Sequence, residues 1–183
     1  MHDAVRPEAG SAGREARSGV KRRNPEERAR PGTRGSPTPE LPRQLSADEL
    51  AELFEGRTRF VERLAAEPDP LTRARSLVHE LPLDEKREIL DAHPAIGQGA
   101  GLSVRSAAEQ GADADPEILA GLARLNAAYE ERHGFRFVVF VNRRPKAAIL
   151  AVLEDRIENP TRVELETALD ELVAIAEDRW ARA

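Results

Sequence analysis

The sequence predicts an all-α fold: a single helical bundle of about seven to eight helices, preceded by a disordered N-terminal tail. Three observations carry that expectation. Apolar residues recur at three- and four-residue spacing in successive stretches from Leu50 onward, as one buried helix face requires. Helix-start chemistry stands at the head of several stretches, in Ser46-Ala-Asp-Glu49, Asp115-Pro116 and Thr161-Arg-Val-Glu164. One short run, Phe135–Val141, has strand composition, and a single strand has no partner in this chain.

Residues 1–45 read as the tail. They are rich in Pro, Gly, Arg and Glu and nearly empty of large apolar side chains, so they cannot bury enough surface to offset the entropy of ordering. Residues 46–183, about 138 in number, form the expected domain, a size that can bury roughly two-thirds of its unfolded surface. Charge divides at the same boundary. The tail holds 10 Lys/Arg against 6 Asp/Glu, a net of +4, while the body holds 18 against 27, a net of −9. An acidic body is poorly suited to a phosphate backbone, which argues against nucleic acid as a partner.

In order along the body, Ser46 and Glu49 make a capping box for a helix carrying Leu50, Leu53 and Phe54, with Gly56 as its C-cap. Phe60, Val61, Leu64 and Ala65 continue as a second short helix. Pro70 opens a third through Leu81, and Asp84 caps a fourth that stops before Pro94. Residues 93–104 (HPAIGQGAGLSV) alternate glycine with small residues and read as a loop. Ser106–Gln110 reads as a short helix. Asp115-Pro116 opens the longest helix, ending at Gly134. Phe135–Val141 is expected as a buried extended connector whose backbone polar groups need partners elsewhere. A helix from Pro145 to Ile157 follows, and Thr161–Glu164, a second capping box, launches the last.

Composition excludes several chemistries. With no cysteine, disulfides, thiolate catalysis and thiolate-bound metals are absent. No apolar run approaches the roughly 20 residues that span a bilayer, so a soluble cytoplasmic protein without membrane contact is expected. A histidine-based metal site is disfavoured, since His93 and Glu109 lack a clear third ligand and His79 and His133 fall on other helices.

Four features could carry chemistry. His93 ends a helix, Pro94 restrains its backbone, and its imidazole could exchange a proton near neutral pH. A histidine capping a free carbonyl would look the same. Ser106, Glu109 and Gln110 share a helical face, although an N-cap serine with solvated neighbours is the plainer reading. Phe135 and Phe137 read as core, while the extended backbone beyond Phe137 could offer amides to a planar, urea-like ligand. Arg179, on the last helix, reads on its own as one surface arginine among many.

Taken together these residues resemble the 2-oxo-4-hydroxy-4-carboxy-5-ureidoimidazoline (OHCU) decarboxylase family. The resemblance rests on LAELFEG and FVERLA within 50–65, ILDAHPAIG (89–97), SxxEQ (106–110), LNAAYEERHGFRFVV (125–139), KAAILAVLEDRIEN (146–159) and ELETALDELVAIAEDR (164–179). The ordered series HP, SxxEQ, LNxxYxxxxGFxF is specific where no single piece is. It implies an all-helical homodimer without a cofactor, acting on a small ureide in urate degradation and yielding (S)-allantoin. His93 takes the family's place as proton donor. Substrate contacts fall on Pro94, Ser106, Glu109, Gln110, Arg179 and the backbone of Phe137, Val138, Val139, Phe140 and Val141. Glu109 is expected to keep His93 protonated, and Arg179 to offer its fork to the substrate.

The chain departs from the family in Gly56-Arg57-Thr58-Arg59, in place of a Ser-Pro-Trp-like element, in HPAIG, and in a short stretch between His93 and Glu109. Two competing readings remain at this point: a non-catalytic helical interaction module derived from the family, and a lyase acting on a related ureide.

Overall fold

The computed structural model describes residues 44–97, 104–110 and 115–183; in α5 the side chains of Val104, Glu109 and Gln110 lie outside the description. Residues 1–43 of the tail read as disordered and residues 98–103 of the glycine loop fall outside the described residues, whereas Leu45, placed at the end of that tail, is buried in the core. Among the described residues there are eight helices and no strand. They are α1 (Ala47–Phe54), α2 (Arg59–Ala65), α3 (Pro70–Glu80), α4 (Leu83–Ala92), α5 (Val104–Gln110), α6 (Pro116–His133), α7 (Lys146–Arg156) and α8 (Thr161–Ala181).

The fold is organised around α8, which packs against α1, α3, α4 and α6. Its sequence explains why. Leu165, Ala168, Leu169, Leu172, Val173 and Ala176 follow three- and four-residue steps, Ile175 widens the stripe, and all are buried. The capping box of α1 forms as expected, with Glu49 N–H donating to Ser46 Oγ (3.2 Å) and Ser46 N–H to Glu49 Oε2 (2.9 Å). Asp69 and Asp115 cap α3 and α6, each followed by proline in the first turn. Gly134 closes α6 in the left-handed conformation, φ 76°.

Four local expectations need correction. The left-handed residue after α1 is Glu55 (φ 62°), one position before Gly56. Asp84 does not cap α4; Pro82 holds the N-cap position without a side-chain bond. Thr161–Glu164 is not a capping box, because Glu164 turns inward. Finally α8, at 21 residues, is longer than α6, at 18.

Glu164 is fully buried and serves three neighbours. Tyr129 Oη donates to its Oε2 (2.7 Å), Arg156 Nε donates to the same oxygen (2.9 Å), and Asn159 Nδ2 donates to Oε1 (2.7 Å). Burial alone would push this carboxyl up, but the hydrogen bonds from Arg156, Asn159 and Tyr129 hold it below the ordinary value. Arg156 lies over the Phe137 ring at 4.8 Å and donates through Nη1 to the Val138 carbonyl (3.1 Å). One buried cluster thus ties α6, α7 and α8 to the chain between α6 and α7.

Replacing Glu164 with leucine strands the Arg156 cation in the core. Urea unfolding of Glu164→Leu is expected to show a loss of about 3–5 kcal/mol. The Glu164→Leu/Arg156→Met double variant should recover part of it, whereas an additive loss would mean the two side chains are not coupled.

Candidate active site

His93 is set by the end of α4. Its N–H donates to the Leu90 carbonyl (3.1 Å), and its own carbonyl accepts from Arg136 Nη1 (2.7 Å). Arg136 also donates through Nη1 to Asp91 O and through its backbone N–H to Asp91 Oδ1, so the chain after α6 is clamped against the histidine. On the other side Asn126 Nδ2 holds the Ile96 carbonyl (2.9 Å), and the loop turns at Gly97 with φ 84°. The imidazole is 7% exposed, and its Nδ1 has no hydrogen-bond partner among the described residues. Burial pushes its pKa down to about 4; Arg179 adds to this, Glu55 opposes it, and Arg136 lowers it further.

His93 lines a cavity of about 330 Å³. Pro94 and Ile96 continue its wall from the histidine loop, and Ser106 and Ala108 come from α5. The chain from Phe137 to Arg143 forms the opposite side, and Ile175, Asp178 and Arg182 of α8 complete it.

Behind Ser106 lies a compact polar group. Ser106 Oγ donates to Glu55 Oε1 (2.5 Å) and accepts from Arg179 Nη2 (3.2 Å). Arg179, only 3% exposed, pairs with Glu55 (2.8 Å) and donates through Nη1 to Leu53 O (2.8 Å). Arg179 is therefore no surface residue. It stands behind the Ser106 wall, sets that serine, and projects positive potential toward His93.

The segment Arg136–Val141 is extended, as expected, and its hydrogen bonds alternate. On even-numbered residues the backbone is served by protein: Arg136 N–H by Asp91, Val138 O by Arg156, Phe140 N–H by Glu171 Oε2 (2.6 Å), and Phe140 O by Arg144 Nη2 (2.5 Å). On the odd-numbered residues, no hydrogen bond among the described residues reaches the N–H of Val139 or Val141 or the carbonyls of Phe137 and Val139. Successive residues of an extended chain face opposite sides. One edge of this segment is thus held at four of its groups, while on the other the Val141 carbonyl accepts from Arg144 and the remaining N–H and C=O groups named above are left open beside the cavity.

A sequence profile of the OHCU decarboxylase family matches residues 39–181. The chain belongs to that family. It is 37% identical over 109 residues to 2-oxo-4-hydroxy-4-carboxy-5-ureidoimidazoline decarboxylase of Haloferax volcanii, covering 57% of this chain and 64% of that protein. It is 36% identical over 104 residues to the uric acid degradation bifunctional protein TTL of Arabidopsis thaliana, covering 52% of this chain and 32% of that one. The chain thus spans less than two thirds of these relatives' length. A crystal structure of OHCU decarboxylase in the presence of (S)-allantoin superimposes with a TM-score of 0.62 at 26% identity, covering 73% of this chain and 96% of that one. The all-α expectation stands.

Of the residues singled out from the family's motifs, the cavity brings together His93, Pro94, Ser106 and the run Phe137, Val138, Val139, Phe140 and Val141. Arg179 touches Ser106 but is not part of the cavity lining. The side chains of Glu109 and Gln110 lie outside the described residues, although the α5 backbone that carries them follows Ser106 directly. Among the described residues the surroundings of His93 favour neutral imidazole at pH 7, and the side chain of Glu109, expected to keep it protonated, lies outside the description. The other two histidines among the described residues are structural. His79 bridges Glu166 and Asp170, and His133 bonds Thr161 and Ile157. Among the described residues no group of three or more His, Asp or Glu could hold a metal ion, and no helix is long and apolar enough to cross a membrane.

Sequence reasoning missed Glu55 and Arg136. The signal for Glu55 is a misfit: an acid at the C-terminal end of a helix opposes the macrodipole, and a left-handed backbone is strained in a residue with a Cβ.

Two predictions follow from this electrostatic arrangement. Unfolded, His93 binds a proton near pH 6.5; folded, it does so only near pH 4. Between those values the unfolded chain holds more protons, so stability falls as pH falls, by roughly 3 kcal/mol for this group. His93→Asn should flatten that part of the stability–pH curve, and an unchanged slope would refute the shift. Glu55→Gln removes a carboxylate that pairs with the buried Arg179 and raises the His93 pKa, so it should reduce thermal stability and move the His93 titration to still lower pH, as read by NMR of the imidazole.

Proposed function

We propose that this chain is a carboxy-lyase that decarboxylates OHCU to (S)-allantoin in urate degradation, with no cofactor. The observation that carries the reading is the juxtaposition of a buried, part-unpartnered His93 with an open backbone edge across one small cavity. A volume of about 330 Å³ suits a small ureide. The N–H groups of Val139 and Val141 and the carbonyls of Phe137 and Val139 offer alternating donors and acceptors. A ureido group, with N–H and C=O in one plane, complements such an edge as a neighbouring strand would. Ser106, held by Glu55 and Arg179, walls the other side, and Glu109 and Gln110 are assigned to the same ligand from their place on α5.

The chemistry consumes one proton per turnover. The bond from the ring carbon to its carboxylate breaks, CO2 leaves, and the electron pair spreads as an enolate-like anion. Oriented donors can contribute on the order of 10²–10³ in rate each toward such an anion. His93 rests neutral, and the entering carboxylate offsets the field of Arg179, so the imidazole gains a proton on binding. That proton passes to the ring carbon on the face His93 presents, forming the C–H bond and returning the imidazole to its neutral form. Delivery from one side gives one enantiomer. Arg179 acts here through Ser106 and its potential, which avoids locking the leaving carboxylate in the ground state. We further infer a cytoplasmic homodimer, on the resemblance to the family, with sedimentation velocity as its check.

The deciding assay generates OHCU in place from urate with upstream enzymes, adds this protein, and follows the optical activity of the allantoin formed. Faster appearance of the S enantiomer is expected, with His93→Ala reducing the rate by about 10²–10⁴. A wild-type protein that leaves the spontaneous rate unchanged would instead support a non-catalytic module, and activity on another ureide alone would support the related lyase.

A further inference from the structure

Val141–Arg144 form a turn closed by Arg144 N–H donating to Val141 O (2.9 Å), with Asn142 and Arg143 as its central residues. Both are left-handed, at φ 44° and 59°. Such a turn favours Asn followed by Gly. Asn142 fits. Arg143 does not, because its Cβ makes that conformation unfavourable.

The two adjacent arginines differ in use. Arg144 is tied down through Nε to Val141 O (3.1 Å) and through Nη2 to Phe140 O. Arg143 lines the cavity, is exposed, and has no ion pair or hydrogen bond among the described residues. The other charged lining residues, Asp178 and Arg182, pair with each other. A strained backbone position next to a ligand cavity points to function, and the strain here places a cation that no carboxylate among the described residues engages.

We propose that Arg143 is a specificity-determining residue that captures the substrate's carboxylate at the mouth of the cavity. This rests on the decarboxylase reading above and adds the group that selects an anionic ureide over an uncharged one. The guanidinium meets the carboxylate as the ligand enters, and the ureido group then settles on the Val139–Val141 edge. Because the contact is made before bond breaking and at an exposed position, it favours capture rather than the chemical step.

The test compares the wild type with Arg143→Gly and Arg143→Lys, using OHCU generated from urate as substrate and (S)-allantoin, which lacks the carboxylate, as a competing ligand. Glycine relieves the left-handed strain, so Arg143→Gly should raise Tm by about 2–4 °C. It should also raise KM for OHCU about tenfold, leave kcat within about twofold, and leave allantoin inhibition unchanged. KM of the wild type should rise with salt and that of Arg143→Gly should not, while Arg143→Lys should recover much of the affinity and the salt dependence. An Arg143→Gly variant with wild-type KM and salt dependence would overturn this inference and leave the decarboxylase reading standing. So would equal weakening of OHCU and allantoin, which would indicate a change of shape, not charge. An inactive wild type would remove both.

Discussion

The cavity depends on a carboxylate that has no access to water. Glu164 gathers Tyr129, Arg156 and Asn159, and Arg156 passes that constraint to the Val138 carbonyl. Without it the middle of the extended segment between α6 and α7 would be held only from its two ends, through Arg136 and Phe140, because neither helix dictates where an irregular connection runs. A buried ion pair is weak grounds for claiming net stability, since desolvation offsets much of the attraction. Its use here is positional. The hub joins three helices and one backbone carbonyl, so displacing any of them breaks hydrogen bonds that cannot be replaced by solvent.

The same separation of tasks governs the charges around the site. Arg179 is neutralised locally by Glu55, yet it still lowers the affinity of His93 for a proton, because burial weakens screening and the imidazole lies within its field. These surroundings favour the neutral imidazole. A histidine protonated at rest would place a second buried cation near Arg179 and Arg136 with one described carboxylate, Glu55, in opposition.

Much of this was legible in the sequence. The α1 capping box, the helix periodicities and the extended Phe135–Val141 run declare themselves locally, because caps and apolar spacing act over a few residues. The convergence of His93, Ser106 and Phe137–Val141 came from the motif series, not from periodicity, which cannot say which loops meet. Thr161–Glu164 misled for a specific reason: a capping box and a buried acid share one local pattern, and only the three partners from α6, α7 and the turn before α8 decide between them. Glu55 offers locally only its misfit as an acid at a helix C-terminus. Its role depends on a left-handed backbone and on Ser106, 51 residues from it, which is itself 73 residues from Arg179.

The arginines explain how a helical protein can afford an extended wall. A helix satisfies its own amides and carbonyls, and so presents no row of buried, unused backbone groups to a ligand. Only an extended segment does so, but its other edge must then be satisfied without a partner strand. In this domain side chains replace that strand: Arg156 serves the Val138 carbonyl and Arg144 that of Phe140, Asp91 and Glu171 accept the N–H groups of Arg136 and Phe140, and the Arg136 side chain ties the segment to the Asp91 and His93 carbonyls. The guanidinium suits this work because its several fixed donors can meet two carbonyls, or a carbonyl and a carboxylate, at once, where a lysine is a single point charge. An acidic body that keeps arginines at these positions is using them as backbone partners.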